Sequence, residues 1–429
     1  MKLFSAAAAL AFAAALAFAA ASAGDEEERG LTELVKLAEE YDAGYLAVRE
    51  DFAANKEQAN ISRAALRPQA SAQAGRVFAE GGGINDRPNA SAEIVQTFSL
   101  RNVYSWQAAT TRVFAEQANT KAALQSLRAQ VLRGWLRVQL AADTLVLLSA
   151  RKKTLQERQK RAEQLRLAGN GLESDVLSAK ARVFDVEAQI ARARNDLAAA
   201  REVLLQLAGA PPFVASLRRA AVFALPPEDA WMTKVAAGSL RRTAAKAARD
   251  GAKWSLVAAE NSVYPELDVS AGVSNDGRKL RSFTGRFGFS LRQPLFTGGR
   301  IGAEKRRLMA SLRAAGARLV SVRREEERTT KERIGAIRAD IATMRALTTA
   351  TDAANSALGV VEMGHQLGAR TIAEVLSAEE DLFDSRLQLR RAQYDYLGNL
   401  IGLHELAGGI DDNFVVLVAG FFQKKERTD

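Results

Sequence analysis

The chain has 429 residues, with 60 Lys and Arg against 50 Asp and Glu, two His and no Cys. Without cysteine it has no disulfide, no thiol chemistry and no lipid-modified cysteine, and with only His365 and His404 a metal site would rest on carboxylates, for which no ligand spacing is evident. The basic excess would suit nucleic acid in a cytoplasmic protein, but an export signal argues against that partner, and the charges alternate in sign, as in Arg323-Arg324-Glu325-Glu326-Glu327-Arg328, the pattern of a solvated helix face.

Residues 1–23 read as a secretory signal: Lys2, an apolar run from Leu3 to Ala21, and the small-x-small pattern Ala21-Ser22-Ala23. The other reading, an N-terminal membrane anchor, fits poorly with a run that is mostly alanine and ends in a cleavage pattern. No later stretch holds about 20 continuous apolar residues, so no transmembrane helix is expected in the mature chain. An exported chain of this kind is either soluble or inserted as a β-barrel.

Residues 24–66 are expected to be helical and 67–100 to form a first strand pair. In that pair Ala70, Ala72 and Ala74 alternate with Ser71, Gln73 and Gly75. On the return, Ala90, Ala92, Ile94, Phe98 and Leu100 stand opposite Ser91, Glu93 and Thr97. Alanine gives this pair little hydrophobic drive. No proline lies between 89 and 210, and the segment 101–210 is rich in Ala, Leu, Arg, Gln and Glu. Leu140, Leu147, Leu148 and Leu155, then Leu177, Phe184, Ile190 and Leu204, recur at helical spacing. A continuous helix from 104 to 168 would be roughly 100 Å long, far beyond a globular domain, which predicts a long helical hairpin.

A linker over 211–230 and helices over 231–263 precede a second strand pair at 264–293. Leu267, Val269, Ala271 and Val273 alternate with Asp268, Ser270, Gly272 and Ser274, and Asn275-Asp276-Gly277 signals a turn. Phe283, Gly285, Phe287, Phe289 and Leu291 then alternate with Ser282, Thr284, Arg286, Ser290 and Arg292. One apolar and one polar face suit a membrane barrel with lipid outside and water inside. A small hairpin lying on helices has the same alternation, and the pattern alone leaves both open. No proline follows Pro294, and 294–409 is expected to be a second long helical hairpin, with a tail at 410–429 that carries an apolar patch from Phe414 to Phe422.

The two halves repeat one another. Leu207-Ala208-Gly209 returns as Leu406-Ala407-Gly408, Val176-Leu177-Ser178-Ala179 as Val375 to Ala378, Phe184-Asp185 as Phe383-Asp384 and Gly169 as Gly368, with no gap needed. Pro68 answers Pro265, Gly75 answers Gly272 and Gln96 answers Gln293 at almost the same offset. The expected fold is mainly α with a small β part, built as two repeats of helix, strand pair, long helix, turn and long helix.

At this point the chain resembles the TolC-type outer-membrane channel family, the outer component of efflux pumps and type I secretion systems. The resemblance covers nearly the whole mature chain. Its strongest residues are Gln293-Pro294-Leu295-Phe296-Thr297-Gly298-Gly299-Arg300 and the turn from Leu367 to Ala378; Leu31, Tyr41-Asp42-Ala43, Leu66-Arg67-Pro68, Tyr394, Leu397, Leu403 and Gly408 also fit.

The family fold implies a homotrimer in which each protomer gives four strands to one twelve-stranded barrel in the outer membrane, while its helices form a tunnel across the periplasm. The resemblance implies barrel positions facing outer-membrane lipid at Leu267, Val269, Val273, Phe283, Phe287, Phe289 and Leu291. It implies a periplasmic adaptor (membrane fusion protein) and an inner-membrane ABC or proton-driven transporter as partners, no cofactor and no enzymatic activity.

Glu374 falls where the family has an acidic constriction, with Ser377 in place of a second acid. Three copies of Glu374 around an axis would favour cations and raise the carboxylate pKa by mutual repulsion. Arg370 and Asp175 sit where the family uses an Arg–Asp link to hold the tip shut, with Ser174 nearby, and His365 stands in place of a tyrosine partner. Gly169, Asn170, Gly171, Gly368 and Ala369 are, by the resemblance, the candidate adaptor-docking tips. Plainer readings stay open: Asp175 and Ser174 as helix caps, Glu374 as a first-turn acid, His365 as a surface residue, and the glycines as turn formers only.

Gly285-Arg286-Phe287-Gly288 and Gly81-Gly82-Gly83 lack the spacing of a phosphate loop. The rival to a channel is a soluble periplasmic coiled-coil adaptor or structural protein; an exported hydrolase would need a nucleophile–base pair that the sequence does not display.

Overall fold

The computed structural model describes residues 30–77, 87–169, 171–217, 227–275 and 283–424. The expected signal at 1–23, Gly81 to Gly83, Asn170, Asp276-Gly277 and the charged end beyond Lys424 lie outside them. The helices are α1 (Leu31–Tyr41), α2 (Ala43–Ala64), α3 (Leu100–Leu167), α4 (Glu173–Ala208), α5 (Glu228–Gly238), α6 (Leu240–Glu260), α7 (Arg300–Gln366), α8 (Ile372–Leu406) and α9 (Asp412–Gly420). The strands are β1 (Gln69–Val77), β2 (Arg87–Phe98), β3 (Ala215–Leu217), β4 (Glu266–Asn275), β5 (Thr284–Arg292) and β6 (Phe422–Lys424). No described helix is long and apolar enough to cross a membrane. The two repeats match element for element: β1-β2-α3-α4 answers β4-β5-α7-α8. Gly169 and Gly368 end α3 and α7 in the left-handed region (φ 77° and 76°), and Gly209 and Gly408 do the same after α4 and α8 (φ 67° and 63°).

The chain divides into two compact units. The first holds the chain up to Leu46, Leu124–Gly238 and everything from Arg328 onward. Its core gathers Leu34, Leu132, Trp135, Leu204, Ile334, Ile337, Leu397 and Ile401, all fully buried, which is why the apolar stripes of α1, α4 and α8 fall where they do. A second cluster joins the two hairpins through Leu148, Leu155, Val186, Ile190, Val375, Leu376 and Phe383.

The segment expected to be a plain linker contains β3, which pairs antiparallel with β6 of the tail. Buried Gln139 fixes it in place: its Nε2 donates to Phe213 O at 3.0 Å, and its Oε1 accepts from Ala215 N at 2.6 Å. Phe422 meets the Trp135 ring edge-on at 4.3 Å, and α9 buries Phe414, Val415 and Val418, so the apolar tail packs into this unit. A three-residue strand is too short to leave a period in sequence.

His404 belongs to the same core. It stacks on Phe414 at 4.0 Å and meets Trp231 edge-on at 5.2 Å, and its Nδ1 is buried without a partner. Burial, helped by nearby Lys234 and opposed by the backbone contact to Gly409 and by Asp411, lowers its pKa to about 4. An unfolded histidine titrates near 6.5, so the unfolded chain takes up this proton first as pH falls. Stability from this site is complete above about pH 6.5 and is lost progressively from there down towards pH 4. The expected loss is about 2 kcal/mol, less than the full shift gives because the ring is partly exposed. In His404→Leu the melting temperature should fall less steeply than wild type between pH 7 and 4.5; equal slopes would remove His404 from the acid response.

The second unit comprises Ala47–Ala123 and Ser239–Glu327. It holds the four-stranded antiparallel sheet in the order β1-β2-β4-β5. Buried Glu326 of α7 accepts from Ser239 Oγ and pairs with Arg242 Nε at 2.9 Å, while the Ser239 hydroxyl caps α6 through Arg242 N at 3.0 Å. A buried carboxylate needs such partners, and here they tie the start of α6 to α7.

Candidate functional site: a two-faced sheet and two helical tips

Directly opposed residues of an antiparallel ladder share a face, so the register fixes the character of each side of the sheet. One set of rows reads Ala70–Ile94–Ala271–Phe287, Ala72–Ala92–Val273–Gly285, Gln96–Val269–Phe289 and Phe98–Leu267–Leu291. The other reads Ser71–Glu93–Gly272–Arg286, Gln73–Ser91–Ser274–Thr284 and Thr97–Asp268–Ser290. The alternations of four separate strands therefore add up to one apolar and one polar face.

Leu267, Val269, Val273, Phe287, Phe289 and Leu291 all lie on the apolar side, and Phe283, two places before Gly285, continues it. Apart from half-buried Val269, these side chains are exposed: Phe287 is 68% exposed, Phe289 67% and Leu291 71%. That removes the reading of a hairpin lying on helices. Gln96 and Asn275, the latter in the row Ala74–Ala90–Asn275, are polar residues on this face, and Gln96 Nε2 donates to Thr97 O at 3.1 Å. Val95 lies on the polar side, in the row Gln69–Val95–Ser270–Gly288. Leu100, expected to extend β2, instead begins α3. On the polar side Asp268 accepts from Thr97 Oγ1 at 2.6 Å and from Ser290 Oγ at 3.5 Å, with Arg292 at 3.9 Å.

The sheet order leaves the outer edges of β1 and β5 without a strand partner among the described residues. In hydrocarbon such edges are untenable, because no water satisfies their backbone groups.

The two helical turns lie in the other unit. In the α7–α8 turn, Ala369 N donates to Gly364 O at 2.8 Å, and a Cβ on Gly364 would stand 2.7 Å from Arg370 Cγ, so a glycine there admits the arginine. Thr371 and Glu374 form a capping box: Glu374 Oε2 accepts from Thr371 N at 2.8 Å, and Thr371 Oγ1 accepts from Glu374 N at 3.3 Å. Arg370 Nη1 pairs with Glu374 Oε1 at 2.7 Å, and His365 Nδ1 lies 3.0 Å from Arg370 O. The Thr371 N–H, then Arg370, hold the Glu374 carboxyl below the usual range within one chain, opposite in direction to the repulsion expected among three copies.

The structure thus gathers Arg370, Glu374 and His365, with Gly368 and Ala369 at the turn and Ser377 exposed one turn on. It does not bring Asp175 or Ser174 to Arg370 within one chain. Neither of them caps α4, whose N-cap is Leu172 without a side-chain bond, so the capping reading of that pair is corrected. Gly169 makes the α3–α4 turn, and at Gly171 a Cβ would stand 2.8 Å from Arg166 N. Both tips expose leucines: Leu167 and Leu367 are each 79% exposed.

Sequence reading missed the charged clasp between the hairpins. Arg158 of α3 pairs with Glu362 of α7 and with Glu379 of α8. Glu380 of α8 meets Arg182 of α4 at 2.5 Å and Arg151 of α3 at 3.5 Å, and Arg151 also lies over the Phe383 ring at 4.6 Å. Burial raises the Glu379 carboxyl despite Arg158. These partners are some 200 residues apart, and only their places near the same apolar cluster would have linked them in sequence.

Long paired helical hairpins and a four-stranded sheet with one lipid-compatible face define the class of outer-membrane channel protomers. The comparisons agree. Residues 236–409 match the outer membrane efflux protein family. The outer membrane protein TolC of Escherichia coli is 25% identical, over 87% of this chain and 81% of that one. The proteases secretion protein PrtF of Dickeya chrysanthemi is 24% identical, over 94% and 93%. The crystal structure of the outer membrane protein VceC of Vibrio cholerae shares the fold with a TM-score of 0.77 at 19% identity, covering 89% of this chain and 97% of that one. Over most of its length the chain is thus similar to outer-membrane channel and secretion proteins of the TolC type.

Proposed function

We propose that the chain is one protomer of a passive outer-membrane conduit of an efflux pump or a type I secretion system. The observation that carries this reading is the two-faced sheet with two unpaired edges. A sheet whose apolar face is bare and whose edges are open becomes lipid-compatible only when copies close it into a ring. Four strands are too few for a membrane barrel, whose smallest members have eight. Three copies give twelve, the number the family resemblance implies. The polar rows would then line the aqueous bore, and Leu267, Val269, Val273, Phe283, Phe287, Phe289 and Leu291 would face lipid.

The turns after α3 and α7, with Gly169, Gly171, Gly368 and Ala369, are the proposed docking ends for a periplasmic adaptor, beyond which stands the inner-membrane transporter that supplies energy. Arg370, Glu374, Asp175, Ser174, Ser377 and His365 are the proposed constriction. Since Arg370 is engaged with Glu374 inside the chain, any link to Asp175 would run between neighbouring copies. The test is planar-bilayer conductance of the reconstituted protein beside Arg370→Ala. The expected result is a discrete ohmic channel whose closed fraction falls in the variant. No conductance in wild type would sink the conduit; equal gating in both would remove Arg370 from the constriction.

A further inference from the structure

The described helices of the second unit enclose a groove of about 370 Å³ between α2, α3, α6 and α7. Four arginines line it, Arg101 and Arg112 from α3 and Arg300 and Arg307 from α7, against one carboxylate, Glu304. Glu304 is already taken: Arg307 clamps it with Nη2 at 2.6 Å and Nε at 3.0 Å. Arg307, then Arg101 and Arg300, also hold its carboxyl below the ordinary range, which places both of the latter arginines within electrostatic reach of it. Among the described residues Arg112 reaches only the Ser255 hydroxyl, at 3.5 Å. Neither Arg101 nor Arg300 meets a carboxylate among the described residues. The groove therefore carries an uncompensated positive charge that no part of the described chain neutralises.

We propose that this groove is an anion site that takes a phosphate group. A single carboxylate is satisfied by one guanidinium fork, as Glu304 and Arg307 show. Three further guanidinium groups, arriving from two helices, call for an anion whose oxygens accept in several directions, as those of a phosphate group do. Ser105 supplies a neutral donor on the same wall, while the Ser255 hydroxyl already donates to Gly251 O at 2.9 Å. Neither α3 nor α7 has an acid in its first turn, so the positive ends of both helices add to the field. The volume exceeds that of a bare phosphate and leaves room for a substituent on it. The phosphate is either free in solution or the headgroup of an anionic lipid. This site lies within one chain and stands independently of the channel reading.

The test titrates inorganic phosphate into the detergent-solubilised full chain by calorimetry at low ionic strength, with light scattering on the same sample to record its oligomeric state separately. A parallel arm compares nanodiscs of phosphatidylglycerol with nanodiscs of phosphatidylcholine by melting temperature. The variants are Arg101→Gln/Arg300→Gln, and Arg306→Gln as an arginine control outside the groove. The expected result is saturable binding, one phosphate per chain, in wild type and in Arg306→Gln, weakened at least tenfold in the double variant. If only phosphatidylglycerol raises the melting temperature, and the double variant loses that rise, the phosphate is a lipid headgroup. Absence of binding from both sources overturns the proposal, as does an unchanged response in the double variant. Both truncated arginines are exposed and lack a carboxylate partner, so the double variant should fold, and its melting temperature in chloride checks this.

Discussion

Replacing both Phe287 and Phe289 with arginine is expected to stop the protein from entering the membrane. The two rings meet edge-on at 4.9 Å on the bare apolar face of β5. Each arginine near the bilayer midplane costs about 2–4 kcal/mol in a membrane barrel. A closed ring of three copies would carry six such charges, which no family of small compensations offsets. Membrane fractionation should find the Phe287→Arg/Phe289→Arg protein in the soluble or aggregated fraction, with wild type in the outer membrane. Ser290→Arg, one residue along on the polar face beside Asp268, should insert as wild type does. If the double variant inserts normally, or if Ser290→Arg fails equally, the two faces are assigned wrongly.

The second large effect concerns the clasp between the hairpins. Arg158→Ala leaves the half-buried Glu379 without its nearest counter-charge, and the cost should be a discounted part of the roughly 3–5 kcal/mol of breaking a fully buried pair from one side. Burial already raises the Glu379 carboxyl, so loss of Arg158 raises it further, and the variant relieves its penalty by taking up a proton. The melting temperature of Arg158→Ala should therefore lie well below wild type at pH 7.5 and approach it towards pH 5. Adding Glu379→Gln to Arg158→Ala should recover part of the loss at pH 7.5. A pH-independent deficit, or no recovery, would show that Arg158 acts through packing of its aliphatic stem alone.

Most of the architecture was open to sequence reading because long periodic segments leave no ambiguity. The absence of proline between 89 and 210 and after 294, with leucine at helical spacing, located α3, α4, α7 and α8. The repeat was visible because glycines at equivalent turns serve the same backbone need, and Gly169 and Gly368 do share the left-handed conformation. Strand alternation gave the faces of β4 and β5, but it could not say that β2 pairs with β4. Only that pairing stacks Ile94 beside Ala271 and Phe287 and turns two weak alanine-rich strands into part of one apolar surface.

The site residues were legible in part. Thr371-x-x-Glu374 is a capping box by spacing, a reading not made beside those of Glu374 as a constriction acid or a first-turn acid, and the box fixes how Glu374 is held. Asp175 and Ser174 looked like caps because their residue types favour that place, whereas the helix starts earlier, at Glu173. The Arg158, Glu362 and Glu379 clasp and the arginine groove were out of reach, since both depend on which helices lie side by side over long sequence separation. The Gln139 staple and the β3–β6 pair escaped for the same reason, with segments too short to carry a period.

Everything about transport follows from the sheet being completed by further copies of the same chain. The mass of the detergent-extracted protein, corrected for bound detergent by light scattering, is the most direct measurement of that. The account predicts a single species of three chain masses that reconstitutes into lipid vesicles and resists extraction by salt. A species of one chain mass that stays in the aqueous phase would contradict it.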